Sequence, residues 1–156
     1  MTARELTRLF EEYGKDVYRF AYSITRHAAD ADDICQNVFC RLAKGNVSLE
    51  PGREKAWLLQ CTANACKDRF HFLRRWNSVP LEEAAEIPDE TGRAVLEAVM
   101  ALPVKYRAPI HLYYYEGYSQ KEIAGILSLS LTAVQTRMQR AREMLRKELS
   151  DYEITL

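Results

Sequence analysis

Apolar side chains recur at intervals of three and four residues along most of the chain, which is the spacing that places them on one face of an α-helix. The first such series lies within residues 6–13 and follows Thr2 and Glu5, which form the T-x-x-E capping box typical of helix starts. Only six Gly and five Pro occur among 156 residues, too few for a turn-rich β-sandwich. The sequence therefore predicts an all-α protein.

An acidic segment interrupts this helical pattern. Residues 77–92 contain two Pro, five acidic side chains and no basic one, so we predict an extended linker there. Residues 1–76 carry 13 basic against 10 acidic side chains, and residues 99–156 carry eight against six, a bias that the zero net charge of the whole chain conceals. We expect two small helical domains, 1–76 and 93–156, joined by this acidic Pro-containing linker.

Within the first domain the periodicity predicts two further helices, from Asp30 to Lys44 and from Glu54 to Trp76, separated by a loop over 45–53. The C-terminal half of the long helix interleaves basic and aromatic side chains. This composition suits a nucleic-acid surface, and it also suits the negative end of the helix dipole. The side chains expected to face the core from the long helix are Trp57, Leu58, Cys61, Ala65 and Phe72.

The strongest local signal lies between Gly117 and Leu149. Ser119 and Glu122 form a second capping box before a short apolar-faced helix. A three-residue turn, 128–130, follows, and its last residue, Ser130, is expected to cap the longer second helix. This arrangement is a helix-turn-helix, whose second helix enters the major groove of DNA by its N-terminal residues. The side chains expected to be buried on the second helix are Leu131, Val134, Met138, Ala141 and Leu145.

The opposite face of this second helix carries amide, hydroxyl and guanidinium groups, which suit base edges and phosphates. Residues 131–147 contain five basic side chains and one acidic one. An ordinary helical hairpin with a solvated basic face is the alternative. The residues expected to contact DNA are Ser130, Thr132, Ala133, Gln135, Thr136, Arg137, Gln139 and Arg140.

Two features lie just before this motif. Pro109 falls inside a helical segment, where its missing backbone N–H predicts a kink or a break. The run Tyr113–Tyr115 is expected to combine core and rim positions rather than to form a binding platform.

Nothing in the sequence points to catalysis or to a bound cofactor. The three His lack metal-ligand spacing, no nucleotide-binding or nucleophile motif occurs, and the four Cys form two C-x4-C pairs without His at zinc-finger distance. No apolar run approaches the roughly 20 residues of a membrane helix, and the charged start does not resemble a signal peptide. We expect a cytoplasmic non-enzyme with reduced thiols and with no cofactor, metal, small-molecule substrate or membrane insertion.

Three segments in this order resemble one family. Residues 30–42, D-A-D-D-I-C-Q-N-V-F-C-R-L, are similar to the D-A-E-D-x-x-Q-x-x-F-x-x-L helix of bacterial RNA polymerase sigma factors. Residues 57–68 resemble the W-L-x-x-I-A-x-N-x-x-x-D helix that follows it, and residues 102–142 resemble the C-terminal helix-turn-helix domain of that family. Because no domain intervenes, the chain resembles the extracytoplasmic-function (ECF) group, the smallest type.

The resemblance implies three interfaces. The helix 131–147 would recognise the upstream (minus-thirty-five) promoter element, and the loop 45–53 would hold a base flipped out of the opened strand. The residues implied to bind RNA polymerase core are Asp33, Gln36, Asn37, Phe39 and Arg41. Those implied to bind the downstream (minus-ten) element are Asn64, Lys67, Asp68, Arg69, Phe72, Arg74 and Arg75. Ala63 stands where many relatives have Arg, which would remove one DNA contact.

The implied partners are RNA polymerase core, promoter DNA and the anti-sigma factor that members of this group usually have. Two other hypotheses compete with this one. A stand-alone helix-turn-helix transcriptional regulator, with an N-terminal sensing or dimerisation domain, would bind a palindromic duplex without polymerase. A pure interaction protein would occupy polymerase or a regulator without contacting DNA.

Overall fold

The computed structural model describes residues 1–45, 47–73, 90–152 and 156, with the backbone alone at 70–73. Within these ranges every regular element is a helix, which confirms the all-α prediction. The chain divides into two compact units, Met1–Pro80 and Leu81–Leu156. None of the helices described has a segment long and apolar enough to cross a membrane.

The first unit contains three helices, each of which packs against the other two: α1 (Ala3–Thr25), α2 (Ala28–Lys44) and α3 (Glu54–Leu73). The capping box predicted for α1 is present, since Thr2 Oγ1 accepts from the Glu5 backbone N–H at 3.2 Å and Glu5 Oε2 accepts from the Thr2 backbone N–H at 2.9 Å. The largest fully buried side chains of this core are Leu9, Val17, Phe20, Ile34, Leu42, Leu58 and Leu59.

The start of α2 differs from the prediction. Its N-cap is His27, whose Nδ1 accepts a hydrogen bond from the backbone N–H of Asp30 at 3.4 Å. Asp30 therefore lies within the first turn, where its carboxylate interacts favourably with the helix dipole. The sequence-based start at Asp30 was wrong because Asp is a far more common cap than His.

The buried face of α3 also differs from the prediction. Trp57, Cys61 and Ala65 are only half-buried, whereas the side chain of Phe72 lies outside the described residues. The buried side chains of α3 are Leu58, Leu59, Thr62, Ala63 and Cys66. Thr62 is tolerated in the core because its hydroxyl donates to the Leu58 carbonyl at 2.7 Å.

This rotation of α3 also determines the surroundings of Ala63. Its side chain is 3% exposed and faces the core of the first unit. The loss of a DNA contact at this position stays a prediction.

The four cysteines are free thiols in unlike surroundings. Cys35 and Cys66 are buried, Cys61 is half-buried and Cys40 is exposed. Burial raises the pKa of the Cys66 thiol to about 12, with the nearby Arg69 acting weakly in the opposite direction. Cys66 is therefore protonated at neutral pH and packs as a small apolar side chain.

The second unit contains α4 (Glu90–Ala101), α5 (Val104–Ile110), a π-helical turn (His111–Tyr115), α6 (Gln120–Leu127) and α7 (Leu131–Glu148). The last three residues of the predicted 77–92 linker belong to α4, while the rest of that linker lies outside the described residues. The core of the unit is formed by Ile110, Leu112, Ile123, Val134 and Met138.

The break predicted at Pro109 is confirmed in a specific form. The α-helix ends at Ile110, one residue after the proline, and continues as the π-helical turn, which closes with a hydrogen bond from the Glu116 backbone N–H to the His111 carbonyl at 3.2 Å. The wide turn leaves Tyr113, Tyr114 and Tyr115 37%, 42% and 55% exposed. Of the expected combination of core and rim positions, the core part was wrong, since all three tyrosines are exposed.

Arg107 connects the end of α4 to α5. Its guanidinium is buried, and Nη1 donates to the carbonyl oxygens of Met100 at 3.2 Å and Leu102 at 2.6 Å. Carbonyls at a helix C-terminus have no partner within the helix. Arg107 supplies that partner from the neighbouring helix.

Replacing Arg107 with Met should therefore destabilise the second unit by about 1–3 kcal/mol, because two buried carbonyls lose a donor. Both tryptophans, Trp57 and Trp76, belong to the first unit. In urea unfolding of the full chain, we expect the midpoint followed by far-UV circular dichroism to fall, and the midpoint followed by tryptophan fluorescence to stay constant. Arg146→Met, at an exposed position of α7, is the matched control and should change neither. A wild-type circular dichroism midpoint for Arg107→Met would contradict this account.

Candidate nucleic-acid and polymerase interfaces

Local sequence signals determine where the two helices of the helix-turn-helix begin and end. Gly117 has a φ of +76°, in the left-handed region that favours glycine, and the Ser119–Glu122 capping box then starts α6. Ser128 ends α6 with a φ of +56°. Ser130 then starts α7, its Oγ accepting from the Ala133 backbone N–H at 3.1 Å. The three-residue turn and both caps are thus confirmed.

The rotation of α7 about its axis is set by its apolar stripe. Val134, Met138, Ala141 and Leu145 are buried against the rest of the unit, whereas Leu131 is 42% exposed and was wrongly assigned to the core. Ala133 and Arg137 lie half-buried at the edge of the stripe. The predicted DNA-contacting residues that are exposed are Ser130, Thr132, Gln135, Thr136, Gln139 and Arg140.

Two arginines of α7 interact with tyrosines that precede the motif. The Arg142 guanidinium lies 5.3 Å from the ring centre of Tyr113 and 5.9 Å from that of Tyr114, and its Nε donates to the Tyr114 hydroxyl at 3.0 Å. Burial raises the pKa of Tyr106, but Arg140 and Lys105 outweigh this effect and lower it. No local sequence pattern predicts these contacts, because the paired residues lie about 30 positions apart.

In the first unit, α2 and α3 line a groove of about 800 Å³. The groove brings together residues from two predicted interfaces: Asp33, Asn37 and Arg41, implied for polymerase, and Asp68 and Arg69, implied for DNA. Cys40, Lys44 and Ala65 also line it. The two interfaces predicted as separate sets are therefore adjacent.

The remaining predicted residues of this unit have varied surroundings. Gln36 is exposed, and its amide donates to Asp32 Oδ2 at 3.0 Å, while Asn64 and Lys67 are exposed on α3. Phe39 is instead buried, with its ring 5.1 Å from that of Phe10. Arg74 and Arg75 lie outside the described residues, as does the side chain of Phe72.

Three charged groups form a cluster across the α2–α3 groove, and we call it the Arg69 cluster. Arg69 of α3 pairs with Asp33 through Nη1 and lies 3.4 Å from Asp30 Oδ1 through Nη2. The other oxygen of Asp30, Oδ2, is 3.3 Å from His27 Nδ1. One predicted DNA-binding cation is thus bound to one predicted polymerase-binding carboxylate.

The loop between α2 and α3 borders a smaller cleft of about 220 Å³. Val47, Ser48 and Leu49 line it together with the N-terminal turns of α1. Arg8 of α1 holds Glu54, the first residue of α3, at 2.9 Å. Asn46 lies outside the described residues, and base binding by the loop 45–53 remains a prediction.

No group of side chains in the parts of the chain that the structure describes is a candidate metal site. Within residues 1–45, 47–73 and 90–152, no three His, Cys, Asp or Glu side chains come close enough to hold an ion. Asp30 and Asp33 instead both pair with Arg69.

Comparison with known proteins agrees with the division of the chain into two units. Residues 9–77 match the family described as Sigma-70 region 2, and residues 92–145 match Sigma-70, region 4. The chain is 31% identical over 148 residues to the ECF RNA polymerase sigma factor SigM of Mycobacterium tuberculosis, covering 91% of this chain and 76% of that protein. It is 28% identical over 160 residues to SigW of Bacillus subtilis, covering 89% and 86%.

A solved structure shares the fold. CnrH, determined in complex with the cytosolic domain of CnrY, superposes with a TM-score of 0.68 at 26% identity, covering 97% of this chain and 92% of that one. Residues 9–77, which the stand-alone regulator hypothesis assigns to a sensing or dimerisation domain, match sigma region 2 instead. The chain belongs to the ECF sigma factors, which bind RNA polymerase core and direct transcription initiation at promoters.

Proposed function

We propose that α7 recognises the upstream promoter element through the exposed face that begins at its N-cap. The observation that carries this proposal is the placement of Thr132, Gln135, Thr136 and Gln139 on the solvent side of a correctly capped helix-turn-helix. Hydroxyl and amide groups at such positions match the hydrogen-bonding edges of bases in the major groove. Arg140, on the same face, is suited to a phosphate or to guanine.

We propose that the α2–α3 groove is where the first unit meets both polymerase and the downstream element. Asn37 and Arg41 are exposed along α2, and Asn64, Lys67 and Asp68 are exposed along α3. Opened promoter DNA bound at α3 would therefore lie next to polymerase bound at α2. This proximity supports a role in promoter melting, where strand opening costs a few kcal/mol that binding contacts must offset.

The zero net charge of the chain is consistent with this role. Affinity for DNA alone depends mainly on phosphate contacts by basic side chains. A sigma factor acts within holoenzyme, and polymerase contributes much of that electrostatic attraction. We therefore propose that the free chain binds DNA weakly and that it works in the cytoplasm, without catalytic activity of its own.

We also propose that an anti-sigma factor regulates the chain. CnrH is solved with the cytosolic domain of CnrY, and a second similar structure is that of RpoE with the anti-sigma factor NepR from Bartonella quintana. Such a partner would compete with polymerase for exposed surfaces of the two units.

Replacing Arg137 and Arg140 together with Ala should weaken promoter-dependent transcription by about 1–3 kcal/mol, because base and phosphate contacts are lost. The measurement is transcription by reconstituted holoenzyme from a promoter selected with the wild-type chain, alongside the affinity for polymerase core, which should not change. Arg146→Ala removes the same kind of side chain near the far end of α7 and should leave transcription close to wild type. Unchanged transcription in the double variant would remove these two arginines from promoter recognition.

Replacing Asn37 or Arg41 with Ala should weaken binding to polymerase core by about 1 kcal/mol or more each, if they contribute as central interface residues do. Binding of the labelled full chain to purified core measures this directly. Arg19→Ala, on an exposed position of α1, is the control and should bind as the wild type does. Equal affinities for Arg41→Ala and Arg19→Ala would remove α2 from the polymerase interface.

A further inference from the structure

The Arg69 cluster joins the two proposed interfaces of the first unit. Arg69 lies on α3, among residues that face the downstream element in the proposed function, and both of its carboxylate partners lie on α2. Asp33 belongs to the face of α2 proposed to bind polymerase. A single ion-pair cluster therefore contains one group from each of the two proposed interfaces.

The charges in the cluster are arranged so that Arg69 is neutralised. Its guanidinium contacts Asp33 through one nitrogen and Asp30 through the other. Two carboxylates thus surround one guanidinium, and His27 lies against the far oxygen of Asp30. A phosphate approaching Arg69 meets this negative charge and must displace at least one carboxylate to form its own pair with the guanidinium.

The exposure of the cluster makes such displacement feasible. The side chain of Arg69 is 31% exposed and that of Asp33 is 51% exposed. Ion pairs with this exposure contribute little, typically a factor of about two to five in an equilibrium constant. The contact is strong enough to reduce DNA affinity and weak enough to be broken by a partner.

We propose that the Arg69 cluster is an autoinhibitory contact: Asp30 and Asp33 occupy Arg69 in the free chain, and polymerase binding at Asp33 frees Nη1 of its guanidinium for a DNA phosphate while Asp30 keeps Nη2. The proposal rests on the proposed function, since it requires that α3 faces the downstream element. Linkage then requires that polymerase and DNA each raise the affinity of the chain for the other. The cluster would thereby suppress DNA binding by sigma factor that is not bound to polymerase.

The test uses the full chain without polymerase and a fluorescein-labelled oligothymidylate, with the dissociation constant measured by fluorescence anisotropy at low ionic strength. Asp33→Asn removes the pairing carboxylate. Asp32→Asn is the matched control, because it removes the same charge from the residue before Asp33. The Asp32 carboxylate contacts Gln36 rather than Arg69. Arg69→Gln and the double variant Asp33→Asn/Arg69→Gln complete a double-mutant cycle.

We expect Asp33→Asn to bind the oligonucleotide about two- to fivefold more tightly than Asp32→Asn does, the factor that loss of one exposed ion pair permits. In the Arg69→Gln background, Asp33→Asn should give no gain beyond the small one expected for Asp32→Asn. Thermal unfolding of each variant checks that the first unit is intact.

Two results would overturn the proposal. If Asp33→Asn and Asp32→Asn bind equally, the gain reflects net charge alone; if the gain of Asp33→Asn persists without Arg69, the cluster is not its cause. Lys67→Ala separates these failures from failure of the proposed function. Weakened binding by Lys67→Ala places α3 at the DNA, so that only the autoinhibitory contact fails, whereas unchanged binding removes α3 from DNA and overturns both.

Discussion

The packing of α7 against its own unit determines what the second unit can recognise. Val134, Met138 and Ala141 have no exposed surface, so the helix cannot rotate about its axis without opening the core. The same packing holds Gln135, Thr136 and Gln139 on the opposite side. Caps at Ser119 and Ser130 fix where α6 and α7 begin, and the left-handed residue Ser128 fixes the turn between them. A rigid core thus presents polar groups in a fixed order, as base recognition requires.

In the first unit, by contrast, the surfaces proposed to bind polymerase and DNA share one groove instead of occupying opposite faces. The α2 and α3 helices are close enough for Arg69 to reach both Asp30 and Asp33. Residues proposed to bind polymerase and residues proposed to bind DNA can then influence each other through direct electrostatic contact. Such proximity is a physical route by which a protein of zero net charge binds DNA mainly as part of a larger assembly.

Local signals in the sequence predicted local structure well, and side-chain surroundings less well. Caps at Thr2, Ser119 and Ser130 were predicted because their partners lie three residues away. The buried face of α3 was assigned wrongly because Trp57 is more apolar than Thr62, yet Thr62 satisfies its hydroxyl within the helix and is buried. The Arg69–Asp33 pair joins positions 36 apart, and no local pattern indicates such a contact. The proposed site residues themselves came from the family resemblance, and their roles remain proposals.

The central claim is that this chain acts as a sigma factor on RNA polymerase. The most direct measurement is binding of the labelled wild-type chain to purified bacterial polymerase core, with a housekeeping sigma factor as competitor. The account predicts a dissociation constant of about 1–10 nM, in the range of specific protein complexes, and displacement by the competitor. Absence of binding at roughly micromolar concentrations of both proteins, which would mean an interaction weaker than about 8 kcal/mol, would contradict it.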